Sequence, residues 1–534
     1  MRFEATFLNE LPADPEQGPR LRQVRAAVAS RVRPTPVREP RLLAQSQELT
    51  RELGLSEAEV ARQEFVEVLA GNRLLEGMDP YAACYGGHQF GNWAGQLGDG
   101  RAIVLGETRG ERGQRLELQL KGPGPTPYSR RADGRAVLRS SLREFLCSEA
   151  MHHLGVPTTR ALSLVTTGDL VERDMFYDGH PQMEPGAIVC RVAPSFLRFG
   201  NFELFAAHQD EATLRKLTDY TLRHFYAQLL PTNREPGPEE YLALFREVSL
   251  RTARMVMDWM RVGFVHGVMN TDNMSILGLT IDYGPYGFLD NFDPHWTPNT
   301  TDAGGRRYRY GTQPRVAQWN LMKLAEALYP LIGEAEPLES ALRDYGEEIE
   351  KLERSMMMQK LGLFAWQADS DAGLVEEMLG LMSGVETDMT LFFRGLAELP
   401  VLDELSISDP SVLRAPLEVA FYAPEARSPE YLASLDRYLR RLCARSRQDL
   451  NEQDKSPAQR QDRIRRVSPL FVPRNYLAQL AIDAAEKGDN SVLLELLEVF
   501  RNPYEDQPRF ARYAEKRPDW ARSKAGCSML SCSS

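Results

Sequence analysis

The stretch from His266 to Gly284, HGVMNTDNMSILGLTIDYG, constrains this chain more than any other. Asp272-Asn273 is followed by a short apolar run and then by Asp282-Tyr283-Gly284. One amide oxygen and one carboxylate suit Mg2+, a hard cation that takes few protein ligands and keeps waters and phosphates around it. A lone Asp-Asn or Asp-Tyr-Gly is most often only a turn. The full order of His266, Asp272-Asn273, apolar run and Asp282 is far harder to reach by chance. Asp272, beside the amide ligand, is placed to act as general base toward an incoming hydroxyl. His266 reads as a structural loop histidine with no chemical role.

Protein kinases order the same parts as His-Arg-Asp-Leu-x-x-x-Asn, a strand pair and Asp-Phe-Gly. Counting from His266, the kinase catalytic Asp falls at position 268, where this chain has Val268. The chain therefore reads as built to hold a metal–nucleotide complex without the usual kinase base.

Upstream segments supply candidate phosphate-binding parts. The run YGGHQFGNWAGQLGDGRAIVLGE is Gly-rich, which lets backbone amides approach phosphates closely, and GDGR sets Arg101 beside them. No GKS or GKT follows, so it is not a Walker motif. Leu116, Leu118 and Leu120 alternate with Glu117, Gln119 and Lys121, the pattern of a half-buried strand that ends with Lys121 on its polar face. Glu144 lies on the next helix, and kinases pair a strand Lys with a helix Glu, but on their own these two read as a strand-end Lys and a Glu on a solvated helix face. Arg191, Arg198 and Arg135 need anionic partners if buried, and either phosphates or carboxylates would serve.

Residues 18–42 are Pro- and Arg-rich and are expected to wrap a domain surface without regular structure. Gln47–Leu55 and Ser56–Leu69 read as two short helices, and Ala102–Leu105 as a strand. Leu138, Leu142, Phe145, Leu146 and Met151 keep helical spacing up to Gly155 and Pro157. Ala161–Thr166 and Ala187–Ala193 read as strands. Beyond residue 200 the pattern turns helical, with Ala212–Leu230, Glu239–Val262 and Gln318–Leu331 as the clearest helices. Arg437–Arg466 is read as a solvated helical face. A strand-rich half with one helix, then helices, predicts an α+β, protein-kinase-like bilobal fold with a helical C-terminal extension. The expected divisions are a wrapping segment with short helices over 1–84, an N-lobe over 85–199, a helical C-lobe over 200–400 and the extension over 401–534.

Composition excludes several classes. With 64 basic against 75 acidic side chains and a net charge of −11, the chain gains nothing from counterion release, so nucleic acid is not an expected partner. No run of about 18 apolar residues occurs, so no membrane partner is expected. The acidic, Pro-broken start MRFEATFLNELPADPEQ fits no signal or transit peptide, and a cytoplasmic location is expected by default. The cysteines at 84, 147, 190, 443, 527 and 532 have no zinc spacing. The end, GCSMLSCSS, reads as a flexible tail with exposed thiols at Cys527 and Cys532.

The chain resembles the selenoprotein O family over nearly its whole length. The likeness lies in RVRPTPVREPRLLA, YGGHQFGNWAGQLGDGRA, LQLKGPGPTPYSRRADGRAVLRSSLREFL, RVAPSFLRFGNFE, HGVMNTDNMSILGLTIDYGPYGFLD and PRNYLAQLAIDAAEKGDNSV. The resemblance implies a kinase-like fold that binds ATP in a flipped orientation and transfers AMP to Ser, Thr or Tyr hydroxyls of proteins, with pyrophosphate leaving. Carried onto this sequence, it implies ATP contacts at Gly98, Gly100, Arg101, Lys121, Asp133, Gly134, Arg191, Arg198 and Asp282. It also implies Asn273 and Asp282 as ligands of Mg2+ (with Mn2+ as an alternative), Asp272 as proton acceptor and Glu144 as partner of Lys121. Redox-related protein substrates are implied by the resemblance alone. A catalytically dead nucleotide-binding scaffold and an ordinary protein kinase are the alternatives. Eukaryotic family members end in a selenocysteine, and here Cys532 stands third from the end. With no cysteine between 191 and 442, a bond from the loop after Asp282 to the tail is not expected, and a redox-active Cys527–Cys532 pair is the hypothesis left.

Overall fold

A computed structural model describes residues 1–175, 178–232, 234–401, 409–527 and 529–531. Its N-terminal part is built on a ten-stranded sheet, and its C-terminal part is helical. The strands are β1 (Phe3–Glu4), β2 (Ala13–Asp14), β3 (Ala29–Arg31), β4 (Arg41–Gln45), β5 (Tyr81–Ala83), β8 (Ala102–Arg109), β9 (Arg115–Lys121), β10 (Ala136–Val137), β11 (Arg160–Arg173) and β12 (Gln182–Ala193). A separate small hairpin joins β6 (His88–Gln89) to β7 (Asn92–Trp93). The main path runs β2-β3-β5-β8-β9-β12-β11-β4, with β1 added on β8 and β10 on β12. Residues 18–42 thus contribute β3 and the start of β4 to the sheet, which corrects the expectation of an irregular wrap. The prolines at 34, 36 and 40 fall between these two strands, so they hide the pairing signal without interrupting either strand.

β9 shows how the sheet builds the site. Its leucines face a core with Leu49, Leu53, Val60, Val66 and Leu69, from α2 (Gln47–Glu52), α3 (Glu57–Val60) and α4 (Gln63–Leu69) and the turn after α2. Glu117, Gln119 and Lys121 point to the opposite face, yet every residue of β9 is buried. The half-buried expectation fails because that polar face meets buried partners, not water: Glu117 accepts from the Phe196 amide, Gln119 from Arg191, and Lys121 pairs with Glu144 of α5 (Leu138–His153) and with Asp282. The register sets Arg191 of β12 directly across from Gln119. On α5, Leu142, Phe145 and Leu146 are fully buried, each contributing about 1.5–3 kcal/mol by removal from water.

The helical part begins where the pattern turns helical, near residue 200, but with a helix not singled out from the sequence, α6 (Phe199–Ala207), followed by α7 (Glu211–Phe225) and α8 (Pro238–Val262). Helix α8 opens with Pro at its first turn and ends at Gly263, whose φ of 78° is the left-handed conformation that stops a helix. Immediately after it, Phe264–Val265 pairs antiparallel with Gly287–Phe288, closing the segment between them into one loop. The apolar run inside that loop is not a strand pair. It makes only isolated bridges, Arg198 with Ser275 and Thr158 with Thr280. Gln313–Ile332 and Glu336–Leu361 are the next long helices. The C-terminal extension returns to the N-terminal part, where Leu477, Ala481, Leu493 and Leu496 pack with Leu142 and Phe145 of α5. The solvated face expected over Arg437–Arg466 is only partly so, because Arg445 and Arg460 are buried and Arg445 pairs with Asp371 at 2.8 Å. No helix of the described residues is long and apolar enough to cross a membrane.

Candidate active site

Between the two parts lies a cleft of about 560 Å³. One wall is the Gly-rich turn before β8. At Gly98 φ is +81°, and a Cβ there would lie 2.4 Å from the ring of Tyr128. The glycine is needed because the segment 122–135 folds back over the turn. Thr126 Oγ1 donates to the Asp99 carbonyl at 2.7 Å, and the Ser129 hydroxyl donates to the Gly100 carbonyl. Gly134 pins the same segment, since a Cβ at its φ of +69° would come 2.1 Å from the Gly124 carbonyl oxygen. Beside it, Asp133 accepts from Arg173 at 2.7 and 2.9 Å and from the Arg135 amide at 2.9 Å.

The deep end of the cleft is a buried charge cluster. Lys121 Nζ lies 2.7 Å from Glu144 of α5 and 3.6 Å from Asp282. Arg191 pairs with Glu144 at 3.1 Å and also binds Asp282 and the side chain of Gln119. Arg198 binds the second carboxylate oxygen of Asp282, donates to the Asp272 carbonyl at 2.8 Å and lies 3.7 Å from Asp99. Its guanidinium stacks 4.7 Å from the centre of the Tyr85 ring. Burial pushes the Asp282 carboxyl up, but Arg198, Arg191 and Lys121 together hold it well below the usual carboxylate range. Asp282 sits at φ 61°, a left-handed conformation that Asp tolerates better than most residues. In this structure carboxylates serve as the anionic partners of Arg191 and Arg198.

Asp272 and Asn273 occupy a single 3-10 turn, Thr271–Asn273. Asp272 is 8% exposed; Oδ2 accepts from Gln89 at 3.1 Å, while Oδ1 is buried without a hydrogen-bond partner. Burial raises its carboxyl to about 6, against the opposing pull of Gln89 and Arg198. Gly87 makes room for it, since a Cβ there would meet Asp272 Oδ1 at 2.9 Å. Asn273 Nδ2 donates to the Val268 carbonyl at 2.9 Å, which fixes the amide and leaves its oxygen as the donor for a cation. His266 is buried, with Nε2 bonded to the Ile281 carbonyl at 2.9 Å, so it braces the loop.

Gly98, Gly100, Arg101, Lys121, Asp133, Gly134, Arg191, Arg198, Asp272, Asn273 and Asp282 all line this one cleft, and Val268 joins them. Glu144 does not line it but holds Lys121 from behind. Cys527 does not line it. Cys527 is 3% exposed, with its carbonyl accepting from Asn475 at 2.7 Å, which corrects the expectation of an exposed thiol there. Cys532, and with it the proposed Cys527–Cys532 pair, lies outside the described residues. Sequence reasoning missed Gln89, Tyr85, Gln119 and Arg173, which orient Asp272, Arg198, Arg191 and Asp133. Only Gln119 carried a signal, as a polar residue on the same face of β9 as Lys121.

The donors fit a hard divalent cation. Among the described residues no cluster of three His, Cys, Asp or Glu side chains gathers to hold a metal. Asn273 and Asp282 instead offer two oxygens in a cleft with room for water and phosphate, the environment Mg2+ or Mn2+ accepts. Arg101, Lys121, Arg191 and Arg198 line the same space, with Arg130, Arg135 and Arg173 at its rim, and suit a polyphosphate.

A family model described as protein adenylyltransferase SelO matches residues 14–501. The chain belongs to the SelO family. A protein nucleotidyltransferase YdiU of Azoarcus sp. (strain BH72) is 60% identical over 532 residues, covering 100% of this chain and 99% of that relative. One of Rhodopirellula baltica (strain DSM 10527 / NCIMB 13988 / SH1) is 57% identical over 545 residues, covering 100% and 99%. A solved structure of ROP2 from Toxoplasma gondii, titled a virulence factor with a protein-kinase fold and no enzymatic activity, aligns with 63% of this chain and 97% of its own. It does so at 12% identity and a TM-score of 0.24, too weak a likeness to carry weight. The kinase-like arrangement of this SelO family member stands instead on its own α+β lobe order and the strand–helix pair Lys121–Glu144.

Proposed function

We propose that the cleft binds ATP and transfers AMP to a protein hydroxyl. The observation that carries this reading is the grouping of Lys121, Arg191 and Arg198 around the Asp282 carboxylate, with the half-unsatisfied carboxyl of Asp272 in the same cleft. Buried arginines keep their charge, so they bind anions tightly once these displace Asp282. The β- and γ-phosphates take the deep end, and the α-phosphate then faces outward toward Asp272. A flipped ATP of this kind accounts for Val268, because the attacked phosphorus no longer lies where a kinase base would serve it.

In the transfer, the acceptor oxygen attacks the α-phosphorus and gives its proton to Asp272. The bond between the α-phosphorus and the oxygen bridging to the β-phosphorus breaks, and pyrophosphate leaves with its charge held by Lys121, Arg191 and Arg198. Asn273 and Asp282 would hold Mg2+, or Mn2+, which supplies charge neutralisation on the phosphates. Gln89 orients Asp272, and Glu144 keeps Lys121 aimed at the phosphates. The acceptors are proteins bearing Ser, Thr or Tyr hydroxyls, redox-related proteins among them by family resemblance.

The test is the leaving group. Release of pyrophosphate that depends on both ATP and an acceptor protein is the expected result. Orthophosphate would mean a kinase, and neither product with ATP bound would mean a scaffold.

A further inference from the structure

A second, smaller pocket of about 270 Å³ lies beside the hairpin that carries Gln89. It is lined by Arg307, Arg309, Thr312, Arg315, Val316 and Trp319. Trp319 meets His88 edge-on at 5.5 Å between ring centres and carries the Arg307 guanidinium 4.6 Å above its own ring. The pocket is therefore one hairpin away from the Asp272 carboxyl, which Gln89 contacts.

Its charge is unusual for this molecule. The chain as a whole carries −11, and most buried arginines elsewhere are paired with carboxylates. Arg307, Arg309 and Arg315 line it; Arg307 and Arg309 feel the charge of Asp302, but among the described residues none of the three lies within ion-pair distance of a carboxylate. The nearby Asp302 is buried and already accepts from the backbone amides of Arg307 and Tyr308, at 2.9 and 2.7 Å. Arg307 Nε is buried without a hydrogen-bond partner. Next to this basic pocket the hairpin presents Phe90 at 36% and Trp93 at 40% exposure, large apolar rings on an otherwise polar rim. Arginines over an aromatic floor, with exposed rings alongside, are what a protein surface uses to seat a partner.

We propose that this pocket docks a carboxylate-rich segment of the acceptor protein, seating Asp or Glu side chains beside the hydroxyl that receives AMP. The inference rests on the adenylyl-transfer reading of the neighbouring cleft. An acidic segment supplies the carboxylates that Arg309 and Arg315 lack, and bidentate contact with guanidinium groups gives it a defined register. Phe90 and Trp93 cover apolar parts of the same segment. Docking fixes the hydroxyl near Asp272 and converts a bimolecular encounter into a positioned one.

The experiment compares two fluorescent peptides with one Ser each, flanked by Glu and Asp in one and by Gln and Asn in the other. Binding is followed by anisotropy with the protein saturated by Mg2+ and a non-transferable ATP analogue, so that the cleft cations are occupied. The acidic peptide is expected to bind tighter on the order of tenfold, the product of two exposed charge pairs at about threefold each. The preference should fall to near unity in the R309Q/R315Q protein and fade at high salt. Equal binding of both peptides, no binding of either, or a preference that survives R309Q/R315Q would overturn the proposal. So would a change of oligomeric state in R309Q/R315Q with the peptide preference intact, which would make the pocket a contact between copies of this chain. With ATP then supplied in place of the analogue, the acidic preference with no AMP reaching either peptide would leave the docking surface standing and sink the adenylyl-transfer reading instead.

Discussion

Replacing Asp272 with Asn separates a catalytic role from a structural one, because the two roles predict opposite changes in stability. In the folded protein burial raises this carboxyl from its ordinary 3.8 to about 6. Between those values the folded chain keeps a proton that the unfolded chain releases, so stability falls as the pH rises through that window. Above it, the ionised, nearly buried carboxylate destabilises the fold by about 3 kcal/mol. Asn keeps the shape and carries no charge. The Asn variant should therefore melt higher than the parent at about pH 8 and alike at about pH 4, with a gap of up to about 3 kcal/mol. Its adenylyl transfer should fall by about 10² to 10⁴, the usual contribution of a positioned base. In the parent, transfer by free enzyme should rise with pH through about 6 as the base ionises. The assay pairs thermal unfolding across pH with transfer rates at limiting ATP, which report ionisation in the free enzyme. A variant that is both less stable at high pH and less active would make Asp272 a structural residue. Transfer within twofold of the parent would remove it from the mechanism.

Three other substitutions probe the charge cluster and the Gly-rich wall. Asp282→Asn should abolish transfer and lower the stability of the ligand-free protein by about 3–5 kcal/mol, because it leaves Arg191 and Arg198 buried without their anion; ATP should restore much of that loss in a thermal-shift measurement. In the parent this contribution is present above 3.8 and disappears only as the pH falls through the depressed value of Asp282. Lys121→Ala should raise the KM for ATP while leaving acceptor binding unchanged, measured by initial rates against each substrate. Gly134→Ala forces a Cβ to within 2.1 Å of the Gly124 carbonyl oxygen, so the segment over the cleft must shift and ATP affinity should drop, measured by calorimetry.

The parts legible in the sequence were those whose chemistry is local. Asp272-Asn273 and Asp282 could be read as one constellation because a single loop, closed by Phe264–Val265 and Gly287–Phe288, carries them all. Lys121 and Glu144 were paired only by the family resemblance, since on their own they read as a strand-end Lys and a Glu on a solvated helix face; the structure pairs them at 2.7 Å. Helix α6 was missed because Phe199–Ala207 is buried nearly all round, so its apolar residues show no amphipathic stripe. The exposure of Cys527 was misjudged because the end of the chain packs back: Leu530 exchanges backbone hydrogen bonds with Pro298 and Thr300, at 3.0 and 2.7 Å. The role of Gln89 depends on a hairpin meeting a turn more than 180 residues later, at 3.1 Å between Gln89 and Asp272, and that of Tyr85 on a ring lying 4.7 Å under the distant Arg198 guanidinium. No periodicity records a contact of that range. The partner choice of Arg191 and Arg198 was likewise open, since either phosphates or carboxylates satisfy a buried guanidinium.

On this reading the cleft moves the adenylyl group of ATP and not the terminal phosphate. ATP labelled separately on its α- and γ-phosphates, incubated with the full chain, Mg2+ and an acceptor protein, tests it most directly. The label from the α-phosphate should stay on the acceptor and vanish with Asp282→Asn, while the γ-label should leave entirely in pyrophosphate. Retention of the γ-label on protein would contradict the account.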